Sequence, residues 1–236
     1  MPALQKLDFS RPVAVLGDIH GDALRLEHML RLLGTRQVLF CGDLGDRGPD
    51  TRRVLDLLIA RGARGVRGNH EEWLLALANG QFDTFALHRV MGGASTLESY
   101  GITSRTPGGV EADSWRIPAH HREFLRGLPV ALDLIVLGEA YWVVHAGISP
   151  SVTLPRGIAP ADVVEWLAAN TPEALLWTNN PPDGALPVDR PVIMGHMPLP
   201  EPLDLGHCIA IDTGCGTRAP FQLTALLLPE RRFLTV

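Results

Sequence analysis

Three short apolar runs in the first seventy residues each end in glycine, and each is followed at once by an acid, a histidine or an asparagine. They read V-A-V-L-G-D-I-H-G at 13–21, V-L-F-C-G-D-L-G-D-R-G at 38–48 and G-V-R-G-N-H-E at 65–71. Such runs suit strands buried on both faces of a parallel sheet. The stretches between them repeat with a helical period. Leu26, Met29, Leu30 and Leu33 form one stripe behind a candidate N-cap at Asp22, and Val54, Leu55, Leu58 and Ile59 form another behind Pro49-Asp50-Thr51. Gly34 and Gly62 close these two helices, the strands lie at 37–41 and 64–67, and a third helix spans Glu71 to Leu77. This β-α-β-α-β rhythm predicts right-handed crossovers and a parallel sheet, whose ligands collect beyond the carboxyl ends of the strands. Asp18, His20, Asp43, Asp46, Arg47, Asn69 and His70 are therefore expected on one rim.

Those residue types suit divalent metal ions and a phosphate. Carboxylate, carbonyl and imidazole donors serve hard and borderline cations, and one carboxylate can bridge two ions. Two ions about 3.5–4 Å apart activate a water and clamp a phosphoryl group in an in-line displacement. In Asp18-Ile19-His20, alternate residues of an extended segment face one way, so both can reach one ion. Arg47 offers a planar fork that matches phosphate oxygens.

G-D-I-H-G, G-D-L-G-D-R-G and G-N-H-E resemble the signature blocks of the phosphoprotein-phosphatase branch of the calcineurin-like metallophosphoesterases. V-V-H-A-G at 143–147 and M-G-H at 194–196 continue the pattern in the same order, and I-D-T-G-C at 211–215 is similar to the compact bacterial and phage members. The resemblance implies an α/β fold, a four-layer αββα sandwich. It implies two divalent ions, manganese first, with iron, zinc, cobalt or magnesium as alternatives. Asp18 and His20 would bind one ion, Asp43 would bridge both, and Asn69, His145 and His196 would hold the second. His70 would be the general acid, oriented by Asp46, and Arg47 would bind the substrate phosphate together with Asn69 and His70. A hydroxide bridging the ions would attack phosphorus. One position departs from the pattern: Asn179 stands where a second phosphate-clamping arginine is expected after Trp177, with Arg53, Arg67 and Arg218 as candidates to replace it.

A chain of 236 residues with 46% hydrophobic and 20% charged residues has the makeup of one globular domain. We expect a single domain over 1–236 with a helical, cap-like insertion about 79–129. Within that insertion, G-G-A-S-T-L-E-S-Y-G at 92–101 would shape the substrate entrance. Residues 1–12 read as a lead-in. Strands are expected over 130–145, joined by a Gly138-Glu139 turn, and at 191–195, 207–212, 221–228 and 232–236, with a helix at 161–169. A net charge of −5 argues against nucleic acid as a partner. Neither a membrane-length apolar run nor a signal sequence is apparent, and Cys41, Cys208 and Cys215 form no paired motif, which points to a cytoplasmic protein with reduced thiols. His28, His88, His120, His121 and His207 read as surface or packing residues, and the five tryptophans as core or cap packing.

The substrate expected from this reading is a phosphorylated protein or a small phosphoester, the enzyme being a serine/threonine-type protein phosphatase or a broad phosphomonoesterase. A symmetrical bis(5'-nucleosyl)-tetraphosphatase is the alternative on the same fold. The resemblance implies alanine at the Asp46 position in those nucleotide hydrolases, so Asp46 favours the phosphatase. A catalytically weak phosphate-binding or scaffold protein is the alternative from another class, motivated by Asn179.

Overall fold

In the computed structural model, which describes residues 2–79, 89–102, 117–149, 152–178, 186–217 and 222–236, two sheets lie face to face. The first has the order β1-β5-β6-β7-β9-β8, built from Leu4–Phe9, Ala131–Val136, Glu139–Val144, Val192–Met194, Cys208–Ala210 and Leu203–Asp204. The second has the order β11-β10-β2-β3-β4, built from Arg232–Thr235, Thr224–Leu228, Val13–Leu16, Gln37–Phe40 and Arg64–Gly65. β2, β3 and β4 are parallel, as are β6, β7 and β9.

The two-residue period of a strand sorts the core into layers. Val13, Val15, Leu39, Leu226 and Leu228 from the second sheet meet Leu132, Leu134, Val143, Ile193 and Ile209 from the first. Their neighbours along the chain point the other way. Ala14, Leu16, Val38 and Phe40 pack under the helices α1 (Ala23–Leu33), α2 (Thr51–Arg61) and α3 (Asn69–Ala78). Ala131, Trp142, Val144, Val192 and Met194 pack under the helices Val163–Asn170 and Glu173–Leu176. Three apolar layers between four layers of structure give the αββα sandwich expected from the sequence.

The helix boundaries follow their caps. The Asp22 side chain accepts from the Arg25 N–H and the Asp50 side chain from the Arg53 N–H, while Gly62 ends α2 in the left-handed region. Some expectations are corrected. The lead-in is a strand, because Leu4 to Phe9 pairs in parallel with β5 and Leu7 reaches the inter-sheet core. The hairpin turn is Leu137-Gly138, both with positive φ, since the ladder already pairs Val136 with Glu139. The third strand shrinks to Arg64–Gly65, and the third helix begins earlier, at Asn69. Of the interval 79–129, the described part holds a helical turn at Arg89–Gly93 and helices Ala94–Ser99 and Ala119–Gly127, packed against α2 and α3. Positions 80–88 and 103–116 lie outside the described residues. Among the described residues no helix is long and apolar enough to cross a membrane.

Candidate metal centre

Parallel strands of both sheets end at one rim. β2 runs into Asp18 and His20, β3 into Asp43, β4 into Asn69 and His70, β6 into His145, β7 into His196 and β9 into Asp212. Tight turns bring these residues inward. Of the seven non-glycine residues with positive φ among the described residues, five are here: His20, Asp43, Asp46, Arg47 and His196. Left-handed backbone in residues other than glycine costs energy, so the surrounding contacts must hold it. Glycine is required where the walls close. A Cβ on Gly68 would lie 2.1 Å from Asp43 Oδ1, and one on Gly195 would lie 2.0 Å from Asp18 Oδ1.

Two groups of donor atoms result, and both contain Asp43. In the first, the Nδ1–H of His20 donates to the Gly45 carbonyl at 2.9 Å, which leaves Nε2 as a bare lone pair. That atom is buried without a hydrogen-bond partner and faces Asp43 Oδ2 at 3.6 Å and Asp18 Oδ2 at 3.9 Å. In the second, the Nδ1–H of His145 donates to the Cys41 carbonyl at 2.8 Å. Its Nε2 then faces Asn69 Oδ1 at 2.9 Å, His196 Nδ1 at 3.0 Å and Asp43 Oδ1 at 3.4 Å. With His196 protonated on Nε2, acceptors crowded in this way repel unless a cation lies among them, and ligands about 2.0–2.2 Å from one ion stand about 3 Å apart. The donor sets fit divalent ions, and the Gly45 and Cys41 carbonyls are the groups that set the imidazole tautomers.

The charge states suit the same use. Burial lowers His20 to about 3 and His196 to about 4, and it lowers His145 as well, so all three rings are neutral at pH 7. Burial opposes charge on Asp43 too, but the surrounding imidazoles, His145 foremost, hold its carboxyl below the usual range. Neutral imidazoles and an ionised carboxylate are the ligand forms. Burial and the neighbouring Asp212 raise Asp18 well above the carboxylate range. Burial pushes Asp212 itself up to about 6. The two acids share one site, a repulsion that a cation would relieve.

Beside the donor sets stands the pair His70 and Asp46. The ring donates from Nδ1 to Asp46 Oδ2 at 2.6 Å, and its Nε2 accepts from the Arg47 guanidinium at 3.3 Å. Burial alone would lower His70, but Asp43 and then Asp46 raise it above the ordinary value. Arg47 is exposed, and its backbone N–H is fastened to the Gly92 carbonyl at 3.0 Å.

The rim thus assembles Asp18, His20, Asp43, Asp46, Arg47, Asn69, His70, His145 and His196. Sequence reasoning missed the residues that brace them. Thr96 donates to Asp46 Oδ1 at 2.6 Å, accepts the Asp46 N–H at 2.8 Å and bonds Thr51 at 2.7 Å. The buried Glu71 carboxylate accepts the N–H groups of Asp43, Leu44 and Gly68 at 2.7–2.8 Å, tying the loop after β3 to the start of α3. Asp212 was visible in the I-D-T-G-C block, Glu71 in G-N-H-E and Thr96 in the 92–101 stretch, but no pattern marked Thr96 as a partner of Asp46. The 92–101 stretch, expected to shape an entrance, holds Asp46 and Arg47 in place through Thr96 and Gly92. Of the candidates for the second arginine, Arg53 pairs with Glu27 at 2.5 Å on the surface of α2 and Arg67 pairs with Glu72 at 2.9 Å. Asn179 and Arg218 lie outside the described residues. His207 directly precedes β9, and Cys41 and Cys215 are buried core thiols.

The calcineurin-like phosphoesterase family matches residues 11–217 of the chain. An asymmetrical bis(5'-nucleosyl)-tetraphosphatase PrpE of Oceanobacillus iheyensis is 26% identical over 252 residues, covering 95% of this chain and 91% of that protein. A symmetrical bis(5'-nucleosyl)-tetraphosphatase of Ralstonia nicotianae is 32% identical over 161 residues, covering 66% of this chain and 49% of that protein. Among solved structures, one provisionally described as a diadenosine tetraphosphatase aligns with a TM-score of 0.65 and 22% identity, covering 100% of this chain and 98% of the other. A serine/threonine phosphatase of Saccharomyces cerevisiae aligns with a TM-score of 0.56 and 18% identity, covering 100% of this chain and 83% of the other.

Proposed function

The chain belongs to the calcineurin-like phosphoesterase family and is a metal-dependent phosphoester hydrolase, and from that premise we propose that it cleaves dinucleoside tetraphosphates. The observation that carries the hydrolytic site is the buried, partnerless Nε2 of His20 aimed at Asp18 and Asp43, next to a second crowded donor set on the other side of Asp43. The nucleotide substrate is supported by relatives bearing that activity in their names and aligned along 95% of the chain.

In this reading Asp18, His20 and Asp43 would hold one divalent ion, and Asp43, Asn69, His145 and His196 would hold the other. What such ions supply when bound is Lewis-acid charge against the phosphoryl oxygens and a lowered pKa for a water. Manganese is the first choice, and the donor set also accepts iron, zinc, cobalt or magnesium. The chain's own residues do the rest. Arg47 leaves His70 Nε2 to take the phosphate oxygens bidentately, since it is exposed, its contact with His70 is long at 3.3 Å, and its backbone stays fastened to Gly92. His70 Nε2, freed and protonated to the imidazolium that its raised pKa favours, gives that proton to the departing oxygen as the phosphorus–oxygen bond breaks, while water supplies the new oxygen. Asp46 keeps Nδ1–H engaged and so keeps Nε2 turned to the substrate.

The same Asp46–His70 pair favours a second reading, a phosphomonoesterase or serine/threonine-type protein phosphatase. An alkoxide leaving group needs a proton far more than a leaving phosphate, whose last pKa is about 6. Metal-stripped protein reloaded with Mn²⁺ and offered diadenosine tetraphosphate, an aryl phosphate and a phosphoserine peptide separates the two readings. We expect the highest kcat/KM on the dinucleotide, and its products distinguish unequal from equal cleavage. A higher kcat/KM on the phosphopeptide or aryl ester would replace the nucleotide reading with the second one.

A further inference from the structure

Next to the metal centre lies a cavity of about 410 Å³, lined by Arg67, Glu72, Trp73, Glu173, Leu176 and Trp177 among others. We propose that it is a purine subsite, which receives the base on the leaving-group side of the substrate; this rests on the nucleotide reading above.

Its place in the site comes first. The Trp73 ring meets the His70 ring at 4.9 Å on one side and the Trp177 ring at 5.3 Å on the other. Trp177 in turn stands 6.3 Å from the His196 ring. His70 itself does not line the cavity, but Trp73 touches both, which sets the cavity one ring away from the imidazole that would protonate the departing oxygen. Its volume falls within the ~300–1,000 Å³ of small-molecule sites.

The lining then selects the occupant. Trp73 is buried, but Trp177 is 44% exposed, which leaves part of its ring open for a ligand to cover. The two rings are inclined at 60°, so a flat group stacked on Trp177 meets the neighbouring ring edge-on. Between these aromatic walls stand charged groups. Arg67 is held by Glu72 at 2.9 Å, and the Glu173 carboxylate is exposed at the mouth. Two carboxylates repel phosphate, so the cavity does not extend the phosphate site. A purine matches the whole set: a face to stack, N–H donors for a carboxylate and ring or carbonyl acceptors for a guanidinium. A phenyl ring, such as an aryl phosphate carries, offers a face and nothing at its edge for Arg67 or Glu173.

The test compares AMP with ribose 5-phosphate, which has the same phosphate and sugar without the base. Both are titrated calorimetrically into metal-loaded wild type, Trp177→Ala and Trp177→Phe. Wild type should bind AMP about tenfold to a hundredfold more tightly than ribose 5-phosphate, the worth of one base–aromatic stack. Trp177→Ala should erase that preference, and Trp177→Phe should keep part of it. Equal affinity for the two ligands in wild type, or a preference that survives Trp177→Ala, overturns the subsite. So does a Trp177→Phe protein as indifferent to the base as the alanine variant. A wild-type protein that prefers AMP yet leaves diadenosine tetraphosphate intact overturns the substrate reading and not the subsite.

Discussion

The two sheets contribute to the rim in different ways. The five-stranded sheet supplies Asp18, His20, Asp43, Asp46, Arg47, Asn69 and His70 from one continuous β-α-β-α-β stretch, and the six-stranded sheet supplies His145, His196 and Asp212 from strands far apart in the chain. The first contribution is braced by side chains, with Glu71, Thr51 and Thr96 holding the loops. The second is braced across the gap. His145 bonds the Cys41 carbonyl, and the His196 N–H bonds Asp18. Asp43 faces both, one oxygen toward His20 and the other toward His145. The site is thus a joint between two sheets, and its strength lies in the one carboxylate they share.

Removing that carboxylate should do the most damage. Asp43→Asn is expected to bring turnover to background and to lower bound metal at both donor sets, read by elemental analysis; unchanged metal content would sink the shared-ligand assignment. His70→Asn leaves both donor sets intact, so it should keep its metal while kcat falls about 10²–10⁴-fold on esters with poor leaving groups. Because Asp43 and Asp46 raise His70, its acid form persists above pH 6.5. Wild-type kcat should therefore decline as pH rises through that raised value, and the variant should lose this alkaline limb. An equal loss for activated aryl phosphates would argue against proton donation by His70.

Thr96→Val asks whether side-chain bracing matters as much as ligation. It should keep both metals and lower kcat about 10–100-fold, the usual cost of removing a group that orients a site residue. The smallest effect concerns the far end of the same brace. His121 is buried, with Tyr100 on one nitrogen at 2.8 Å and Asp56 on the other at 2.9 Å, and burial outweighs Asp56 to lower its pKa. The unfolded chain then binds more protons just below pH 6.5, so this contribution to stability is present above 6.5 and lost as pH falls below it. Urea midpoints at pH 7.5 and 5.5 should differ less for His121→Gln than for wild type, with turnover at pH 7.5 little changed.

Much of this was legible in the sequence because the first half of the rim is local. Strand, helix and turn signals between positions 13 and 70 each depend on neighbours a few residues away, and parallel pairing then brings the carboxyl ends together. Asp22, Asp50 and Gly62 cap helices as their residue types require. The lead-in was misread because Leu4 to Phe9 becomes a strand only when β5 pairs with it, and that partner lies more than 120 positions away.

By itself the sequence determined the donor types, their spacing in the first three blocks and the parallel sheet that gathers them, since all of these follow from short-range periodicity and turn chemistry. Only the tertiary structure decided that His145 and His196 close on the opposite face of Asp43, that Thr96 holds Asp46 from 50 residues away, and that Trp73 and Trp177 form a wall beside His70. Those contacts arise when two separately patterned sheets pack face to face, and no local pattern along either one records where the other will lie.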